Sequence, residues 1–457
     1  MISSSSSSIG IEGLRDRLDG VAVLPGEDGW DIARMAWNLA VDQRPAMVVI
    51  PRSADDIRAT VDHAREHGLR IAMQGTGHNA SPMGDLAGTV LVKTHEMRGV
   101  AIDAERQVAR VEAGAQWIDV TAPASELGLA ALSGSAPDVG VVGYTLGGGL
   151  SLGLGRRYGL AAERVLAIEL VTADGELVRA TRTQHADLFW ALRGGGGSFG
   201  AVTAIEFELI ALPTVYAGML LWPIERAHDV LHAWREWTQT VPDSITTSAR
   251  VMHLPDMPEL PDFIRGRSIV VIDGAVTEPE ERAAELLAPL RALQPETDTF
   301  MTVPPVALSH IHMDPEDPMP GASHSGMIDE LPASLLDELI AFATTPGSPI
   351  MMHELRHLGG ALARRGTGVL GAFDGQYLAF AAGLAIPELR HLLDPQFARL
   401  GEILAPHGAG REYLNFAENP TDPAAFYGAD TYARLRAVKT AVDPQNVFRG
   451  NHQIAPF

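Results

Sequence analysis

The sequence predicts an α+β fold that is divided into two domains. The chain has 457 residues, of which 46% are hydrophobic and 20% are charged, a composition typical of folded enzymes. This length exceeds one ordinary hydrophobic core, so two domains of about 200 residues each are expected. Segments with strand and helix character are mixed along the chain. A glycine-rich first part gives way around Pro213 to a region with fewer glycines.

The charge balance disfavours two classes of partner. The chain has 35 lysine and arginine residues against 57 aspartate and glutamate residues, for a formal net charge of −22. Such a surface repels nucleic-acid phosphates and anionic lipids. We therefore expect a small-molecule substrate, with no nucleic acid and no membrane as a partner, in a monomer or a homodimer.

Cysteine is absent from the chain. Disulfides, iron–sulfur clusters, thiolate zinc sites and cysteine nucleophiles are therefore excluded. The amino terminus begins with Met1 and Ile2 and continues as serine from Ser3 to Ser8, without the basic and apolar parts of a signal peptide. We predict a flexible tail over residues 1–27. Since no apolar run reaches the ~18 residues of a spanning helix, we expect a cytoplasmic protein.

A βαβ unit is predicted near the start of the folded chain. Residues 47–50 form an apolar run typical of a strand. Ser53 is a favourable N-cap for a helix with acidic residues in its first turn, and Gly68 is suited to the end of that helix. Residues 71–73 predict the second strand. Before this unit, apolar residues within 28–44 recur at roughly helical spacing.

The rest of the first region follows from alternation and from turn residues. Strands are predicted at 90–92, 107–112, 165–172, 176–180 and 205–210, and helices at 116–127 and 187–192. Residues 133–159 contain too many glycines for a stable helix and do not alternate as a strand would. A backbone packed against a flat ligand would explain so many missing side chains.

The second region mixes the same two kinds of element. Helices are predicted at 222–240, 279–292, 335–343 and 386–404, and strands at 268–272, 350–358, 371–373 and 378–383. Residues 304–330 are irregular and rich in proline, methionine, histidine and aspartate, as a pocket-lining loop or lid would be. The segment 413–416 and a helix over 432–442 complete the chain.

The loop that follows the strand at 71–73 carries the most informative motif. Gly75-Thr76-Gly77-His78 places a histidine directly after two glycines. Glycine lets backbone N–H groups approach an anion closely, so such loops can hold a pyrophosphate. The stretch 75–80 also matches the G-x-G-x-x-A pattern of nicotinamide-binding domains. Pro82 and Gly84 oppose the helix that this fingerprint requires.

Residues 353–357 match the H-E-x-x-H pattern of zinc proteases. Zinc ligation by this pattern needs a helix through both histidines, whereas the flanking proline and glycines favour a strand. On a strand, His353 and His357 would share one face, with Glu354 and Arg356 on the other. A zinc hydrolase that uses the two histidines is a remote alternative, and we predict no metal site.

Three glycine-rich segments, at 75–77, 134–159 and 194–200, fall within the first predicted domain. Together they indicate a large ligand, planar in one part and anionic in another, that is wrapped from several sides. A G-x-S-x-G nucleophile elbow is absent, so a serine hydrolase is not indicated.

With these motifs in place, the sequence resembles the FAD-linked oxidases of the vanillyl-alcohol oxidase superfamily. Within it, the similarity is to the berberine-bridge-enzyme-like branch, which includes 6-hydroxynicotine and oligosaccharide oxidases. The matching stretches are 74–79, 139–140 with 147–149, 156–160, 187–200, and 443–448 with Asn451 and His452. The resemblance implies a PCMH-type FAD-binding domain of two subdomains over 28–212. It further implies an α/β substrate domain with an antiparallel sheet over 213–410 and a return of 411–457 to the FAD-binding domain.

The resemblance implies FAD as the cofactor. The residues implied to contact it are Gln74, Gly75, Thr76, Gly77, His78, Asn79, Ala136, Asp138, Val139, Gly140, Gly143, Tyr144, Gly147, Gly148, Gly149, Gly153, Gly200, Val202 and Asn451. His78 matches the histidine that carries the flavin through an 8α bond. Ala136 occupies the position of the cysteine that forms a second tether in many members, so we expect a single covalent link, at His78. Val139 resembles the small residue that admits oxygen, which favours an oxidase over a dehydrogenase.

Tyr413-Leu414-Asn415 resembles the Tyr-x-Asn strand that reaches the flavin and the substrate in this family. The resemblance implies Tyr413 as a base or substrate hydrogen bond and Asn415 beside the ring. A tyrosine base needs its pKa lowered from about 10. His353, Arg356 and His357 are predicted to line the substrate pocket and to supply this cation.

The implied chemistry is transfer of hydride from a C–H bond of the substrate to flavin N5, with reoxidation by O2 to hydrogen peroxide. The substrate would be a small alcohol, a sugar, an amine or a secondary metabolite. A flavin-dependent dehydrogenase, an oxidative cyclase and a non-enzymatic flavin-binding module remain as alternatives.

Overall fold

The computed structural model describes residues 10–258 and 261–457. Its strands up to residue 211 are β1 (Val21–Val23), β2 (Met47–Ile50), β3 (Arg70–Gln74), β4 (Thr89–Lys93), β5 (Val100–Asp103), β6 (Val108–Glu112), β7 (Leu129–Ala130), β8 (Val165–Val171), β9 (Leu177–Thr181), β10 (Ala201–Glu208) and β11 (Ile210–Ala211). The later strands are β12 (Val215–Pro223), β13 (Ile245–His253), β14 (Ser268–Val276), β15 (Thr297–Asp298), β16 (Met301–Val303), β17 (Gly321–Ile328), β18 (Met352–His357), β19 (Tyr377–Leu384) and β20 (Phe448–Arg449).

The helices of the first region are α1 (Ile11–Arg15), α2 (Trp30–Ala33), α3 (Ala54–Glu66), α4 (Trp117–Glu126), α5 (Val141–Leu146), α6 (Gly155–Tyr158) and α7 (Ala186–Gly195). Those of the second region are α8 (Ala227–Thr238), α9 (Glu280–Arg291), α10 (Ala333–Ala343), α11 (Pro387–Leu404), α12 (Ala424–Tyr427) and α13 (Ala429–Val442). No helix in the described part of the chain is both long enough and apolar enough to cross a bilayer.

The first sheet has the order β1-β2-β4-β3-β20, and its strands β2, β4, β3 and β20 run parallel. Helix α3 packs on this sheet, and the Ser53 hydroxyl accepts a hydrogen bond from the Asp56 N–H at 3.1 Å, as expected of the predicted N-cap. The predicted βαβ unit is confirmed, with β4 inserted between its two strands. The glycine-histidine loop therefore leaves the sheet at the carboxyl end of β3.

A second sheet, of order β5-β6-β10-β8-β9, is antiparallel throughout. Helices α4, α5 and α7 contribute to the hydrophobic core beside it, which includes Trp117, Leu146, Leu192 and Ile205. The glycine-rich stretch at 133–159 is not free of helix, since it contains α5 and α6. Both helices are short, in keeping with the cost of glycine in a helix interior.

The third sheet, here called the large sheet, has the order β15-β12-β14-β13-β18-β19-β17, with β16 also paired to β12. All of its pairs are antiparallel. Side chains from α8, α9, α10 and α11 cover one face, where Trp234, Leu287, Leu336 and Phe397 share a core with alternate strand residues. The predicted α+β fold with an antiparallel sheet in its second region is confirmed.

The carboxyl-terminal segment returns to the first sheet, where β20 pairs with β3. The fully buried Lys439 ammonium group donates to Asp443 Oδ2 at 2.5 Å and to the carbonyl oxygen of Ser198 at 2.6 Å. Asp443 in turn accepts from the backbone N–H groups of Val447 and Phe448. The Lys439–Asp443 pair thus fixes the turn that brings β20 to β3.

The predicted tail over residues 1–27 is partly wrong. Its serine tract lies outside the described residues. By contrast, Ile11 and Leu14 are buried in the core of the first sheet, and β1 pairs with β2. Three apolar residues followed by a turn are enough to form an edge strand here, because an open sheet edge was available to pair with them.

Four other local predictions differ from the structure. The stretch at 304–330 is not irregular throughout, since it contains β17. Only residues 30–33 of the predicted helical stretch at 28–44 are helical, and its apolar residues Ile32 and Met35 are exposed. The strand predicted at 371–373 is absent. The helix predicted from 222 begins at Ala227, because residues before it complete the apolar strand β12.

We expect Asp443→Ala to lower the free energy of unfolding by about 3–5 kcal/mol, because it leaves a buried ammonium group without its counter-ion. Glu338→Ala, which removes an exposed partner of Arg399, is the control and should change stability by less than ~1 kcal/mol. Denaturant unfolding of the two variants checks this. Equal effects would show that the turn does not depend on the pair.

Candidate active site

His78 lies at the centre of the glycine loop that follows β3. Its ring stacks on Trp37 with a centroid distance of 4.2 Å and an interplanar angle of 18°. Nδ1 is 2.8 Å from the Thr76 hydroxyl, and Nε2 is 3.3 Å from Asp138 Oδ2. The histidine is thus held on three sides by groups that fix the orientation of its ring.

The loop is tied to distant parts of the chain through its backbone. The Trp37 N–H donates to the carbonyl oxygen of Thr76 at 3.0 Å. The Asn451 amide donates to the carbonyl oxygen of Asn79, and the Asn79 amide donates to that of Leu414 at 3.4 Å. The structure therefore brings together the loop, the 413–416 segment and the carboxyl-terminal return.

Several buried polar atoms around this loop have no hydrogen-bond partner among the described residues. They are Nε2 of Gln74 and of His78, Oδ1 of Asn79, both carboxylate oxygens of Asp138 and the hydroxyl of Tyr144. Buried polar groups are rarely left unpaired, since each costs about 1–3 kcal/mol. All of them belong to residues that the family resemblance implies for FAD, and they suit a ligand with many donors and acceptors.

The glycines of the site divide into two kinds. A β-carbon on Gly143 would meet no protein atom within 4 Å, and those on Gly75 and Gly140 would approach none closer than 3.7 Å. These three line open space beside Thr76 and can let a ligand approach the backbone closely. They therefore fit the cofactor role that the sequence suggested.

The glycines at 147–149 are required for a different reason, which is protein packing. A side chain on Gly147 would collide with the Asn415 amide, and one on Gly148 would lie 3.0 Å from the Tyr413 ring. Gly148 and Gly149 also have φ angles of +123° and +75°, which other residues rarely adopt. The expectation that a flat ligand explains the missing side chains is wrong for this run, because protein side chains occupy the space.

Three further residues implied for the cofactor pack against protein. A side chain on Gly153 would meet Leu308 at 2.9 Å, and one on Gly200 would collide with Leu170. Val202 is 5% exposed and belongs to the core beside the second sheet. The structure accounts for these residues by packing, whereas Asp138 Oδ2 lies 3.3 Å from His78 Nε2 and a β-carbon on Gly140 would lie 3.7 Å from the Thr76 hydroxyl.

Tyr413 and Asn415 meet the glycine run directly. Asn415 Nδ2 donates to the carbonyl oxygen of Tyr144 at 2.9 Å and to the Tyr413 hydroxyl at 3.3 Å. The segment is not the predicted strand, because residues 414–416 form a 3-10 turn after an extended Tyr413. That turn places both side chains toward the glycines.

The pKa of Tyr413 is raised, not lowered as a base would require. Burial raises it, and the N–H groups of Leu150 and Gly149 and the nearby Arg356 oppose this shift only in part. The hydroxyl therefore stays protonated at neutral pH. Tyr413 can donate a hydrogen bond, but the interpretation of this residue as the base does not hold.

The residues of the H-E-x-x-H pattern separate onto two faces of β18. His353 packs edge-on against Phe342, and His357 stacks on Tyr377 in the helix-covered core. Burial lowers the pKa of each histidine to about 3. Both are neutral core residues, so their prediction as cationic substrate-pocket residues is wrong. Alternation along the strand sends Arg356 to the opposite face.

That opposite face carries six ionisable side chains, five of them buried and Asp314 partly exposed, here called the charge cluster. They are Arg250 on β13, Asp273 on β14, Glu354 and Arg356 on β18, and His312 and Asp314 from the loop before β17. The Arg250 guanidinium donates to Asp273, and His312 Nδ1 is 2.8 Å from Asp273 Oδ2. Arg356 Nε donates to Glu354 Oε1 at 2.8 Å.

Only one of the two ring nitrogens of His312 has a hydrogen-bond partner among the described residues. Its Nε2 has no hydrogen-bond partner among the described residues, and lies 3.6 Å from Glu354 Oε1 and 3.8 Å from Asp314 Oδ1. Burial would raise the pKa of Asp273, but Arg250 and His312 outweigh it and hold that pKa far below its usual range. Burial acts likewise on Asp314, whose pKa is nevertheless lowered, chiefly by His312 and the Ser135 hydroxyl.

The charge cluster lies close to segments that also adjoin the glycine loop. The Ser135 hydroxyl, next to Ala136, is one of the groups that lower the pKa of Asp314. The Arg356 guanidinium lies 4.7 Å above the Phe416 ring, which in turn stacks on Tyr413. The structure therefore brings Arg356 to Tyr413, as the sequence suggested for this one of the three pocket residues.

Sequence reasoning missed Trp37, Arg250 and Asp273. It interpreted His312, together with His310 and His324, as a surface or lid residue, which is wrong because His312 is fully buried. A signal existed for Asp273, because it is a charged residue within the apolar run of β14. A charge inside a buried strand usually marks a partner or a site. Nothing local distinguishes His312 from the other histidines of its loop.

Comparison with known proteins agrees with this geometry. The family model described as an FAD binding domain matches residues 45–181, and the model described as "Berberine and berberine like" matches residues 412–455. (R)-6-hydroxynicotine oxidase of Paenarthrobacter nicotinovorans is 29% identical over 96% of this chain and 97% of its own length. Glucooligosaccharide oxidase of Sarocladium strictum is 35% identical over 48% of this chain and 45% of its own.

Solved structures share the fold. That of 6-hydroxy-D-nicotine oxidase from Arthrobacter nicotinovorans superposes with a TM-score of 0.79 at 25% identity, covering 96% of this chain and 98% of that one. A BBE-like protein of Physcomitrella patens has a TM-score of 0.84 at 20% identity and covers 97% and 98% of the two chains.

Two alanine substitutions should separate the two kinds of glycine. Gly143→Ala has room in the protein and removes a helix-breaking residue from α5, so we expect unchanged or slightly higher stability without flavin, by up to ~1 kcal/mol. Its methyl group enters the open space, so flavin content should fall. Gly147→Ala should instead lower the melting temperature as well, by displacing Asn415. Flavin-to-protein absorbance ratios and thermal melts test both, and identical behaviour of the two variants would contradict the assignment.

Acid should destabilise the protein through His353 and His357. Their pKa values are about 3 in the folded chain and about 6.5 when unfolded. The unfolded chain therefore binds more protons between these values, and stability falls as the pH drops from about 6.5 toward 3. The double variant His353→Phe, His357→Phe should show a shallower decline in denaturant midpoint over this window. An unchanged slope would mean that the two histidines are not buried as neutral groups.

Proposed function

The chain belongs to the berberine-bridge-like branch of the FAD-linked oxidoreductases, and on this premise we propose an oxidase of small molecules with one covalent link to FAD. The observation that carries the proposal is the ring of unpaired polar atoms around His78 beside the open face of Gly143. FAD, when bound there, supplies the hydride acceptor and passes the electrons to O2. Side chains of the protein carry out the other steps.

His78 is proposed as the residue that carries the flavin. Its ring is fixed by Trp37 and Thr76, and its Nε2 lies 3.3 Å from the Asp138 carboxylate. Ala136 offers no nucleophile at the other tether position. The backbone N–H groups of the loop at 75–79 are suited to the pyrophosphate.

Val139 is proposed to leave a path for O2 beside the flavin. It is only half-buried, and its carbonyl oxygen accepts from the Trp117 N–H at 3.0 Å, which fixes the backbone at this point. A small side chain on a fixed backbone leaves space for a diatomic molecule. This supports an oxidase over the dehydrogenase alternative.

His312 is proposed as the acceptor of the proton that the substrate loses from an O–H or N–H group as hydride leaves its C–H bond. Asp273 orients the imidazole through Nδ1 and leaves Nε2 with a free lone pair. The cluster holds two arginines against three carboxylates.

Tyr413 and Arg356 are proposed to bind the substrate. Because burial keeps the Tyr413 hydroxyl protonated, it can donate to a substrate oxygen or nitrogen. Asn415 positions that hydroxyl and stays beside the flavin through its bond to Tyr144. The substrate class is thus a small alcohol, sugar or amine that carries an acceptor atom next to the oxidised carbon.

The function is tested by screening such compounds under nitrogen for bleaching of the flavin absorbance, then admitting air. We expect reoxidation to yield one hydrogen peroxide per flavin reduced, without an added electron acceptor. A flavin that is reduced by a substrate but reoxidises only with an artificial acceptor would indicate a dehydrogenase.

His312→Gln should lower kcat/KM by about 10²–10⁴-fold, the usual contribution of a general base, and should remove the limb of the pH–rate profile that reports proton acceptance. His310→Gln is the matched control, because His310 lies in the same loop with half of its side chain exposed. Turnover with each variant and its flavin spectrum are the measurements. Equal rates for the two variants would contradict the role of His312.

A further inference from the structure

A second cluster of ligating side chains lies on the outside of the helical layer that covers the large sheet. His228 and His232 are on α8, and Asp337 is on α10. Asp337 Oδ1 lies 2.8 Å from His232 Nε2 and 3.5 Å from His228 Nε2. We propose that these three side chains bind a divalent transition-metal ion such as Zn²⁺ or Ni²⁺.

The spacing of the two histidines suits a shared ion. Residues four apart on a helix lie on the same side, one turn above the other, and the two imidazole centroids are 4.5 Å apart. One donor atom from each of the three side chains lies within 4.8 Å of the others. Tetrahedral zinc with bonds of about 2.0–2.1 Å needs donor separations of roughly 3.4 Å, so small side-chain rotations complete the geometry.

The donor set selects the kind of metal. Two imidazole nitrogens and one carboxylate oxygen favour Zn²⁺, Ni²⁺ or Cu²⁺ over the hard ions Mg²⁺ and Ca²⁺, which prefer oxygen ligands. The side chains of His228 and Asp337 are 68% and 55% exposed, so water can complete the coordination. His228 Nδ1 also lies 3.6 Å from Asp229 Oδ1, close to the arrangement in which a carboxylate fixes the tautomer of a ligating histidine.

His353 and His357 have the same four-residue spacing but lie in a different secondary structure. Those histidines lie on a strand, where His353 packs against Phe342 and His357 against Tyr377, so the motif lacks the helix that its zinc geometry requires. His228 and His232 have the helix that the chemistry requires. The chain's net charge of −22 also raises the local concentration of cations.

A bound ion would link α8 to α10. Both helices pack on the large sheet on the side away from the charge cluster, so the ion would stabilise the fold without touching the oxidation site. Binding to the folded chain alone raises the melting temperature in proportion to occupancy. The proposal therefore predicts a stability effect that is independent of flavin turnover.

The test uses the flavin-loaded protein after treatment with a chelator and dialysis. Isothermal titration with Zn²⁺ and with Ni²⁺ should show one site per chain, and each ion should raise the melting temperature, whereas Mg²⁺ should not. His232→Gln and the isosteric Asp337→Asn should each weaken binding at least about tenfold. His391→Gln, an exposed histidine on α11, should leave binding unchanged.

Wild-type protein that shows no Zn²⁺- or Ni²⁺-dependent shift in melting temperature would overturn the proposal. So would binding that persists with equal affinity in both His232→Gln and Asp337→Asn. The exposed position of the cluster means that these variants should fold, and their flavin absorbance spectra confirm this before titration.

Discussion

The fit of Asn415 against Gly147 is the constraint on which the site depends. The Asn415 amide fills the space of the missing side chain and bonds to the Tyr144 carbonyl oxygen, so the 413–416 turn can approach α5 only where the chain has glycine. The same approach lets the backbone N–H groups of Gly149 and Leu150 reach the Tyr413 hydroxyl. Because residues 413–416 precede the carboxyl-terminal return, one contact links the second region, the glycine run and the loop that carries His78.

The two faces of the large sheet bury different kinds of side chain. One face joins the helical layer in an apolar core, and even His353 and His357 become neutral there. The other face buries the charge cluster, whose desolvation is costly unless every charge is paired. Arg250 and Asp273 form an ion pair, whereas Nε of Arg250, Nε2 of His312 and Oε2 of Glu354 have no hydrogen-bond partner among the described residues. Unpaired polar atoms in a buried cluster are typical of a site that receives a substrate.

Much of the fold could be predicted from sequence, because local signals and tertiary packing agree there. The Ser53 N-cap, the strands around 47–50 and 71–73, and the strand interpretation of 353–357 all hold. The failures have physical causes. The apolar spacing at 28–44 lies on the surface. Strand β12 is apolar on both faces and lacks the alternation that marks a half-buried strand.

The site was predictable in part. The loop at 74–79 and the segment at 136–144 converge as the family resemblance implies, but the reason for Gly147–Gly149 is protein packing. The role of Tyr413 changes because burial, which no local pattern reveals, keeps its hydroxyl protonated. His312 depends on partners from two strands of the large sheet, β14 and β18. Its importance is therefore a property of tertiary structure alone.

Peptide mapping of the denatured flavoprotein tests the central claim most directly. Trypsin releases residues 71–93 as one peptide, in which His78 is the single histidine. The account predicts that flavin absorbance remains with this peptide after acid precipitation, and that a His78→Ala protein releases its flavin under the same treatment. Flavin that leaves the wild-type protein entirely on acid precipitation, or that is found on another peptide, would contradict it.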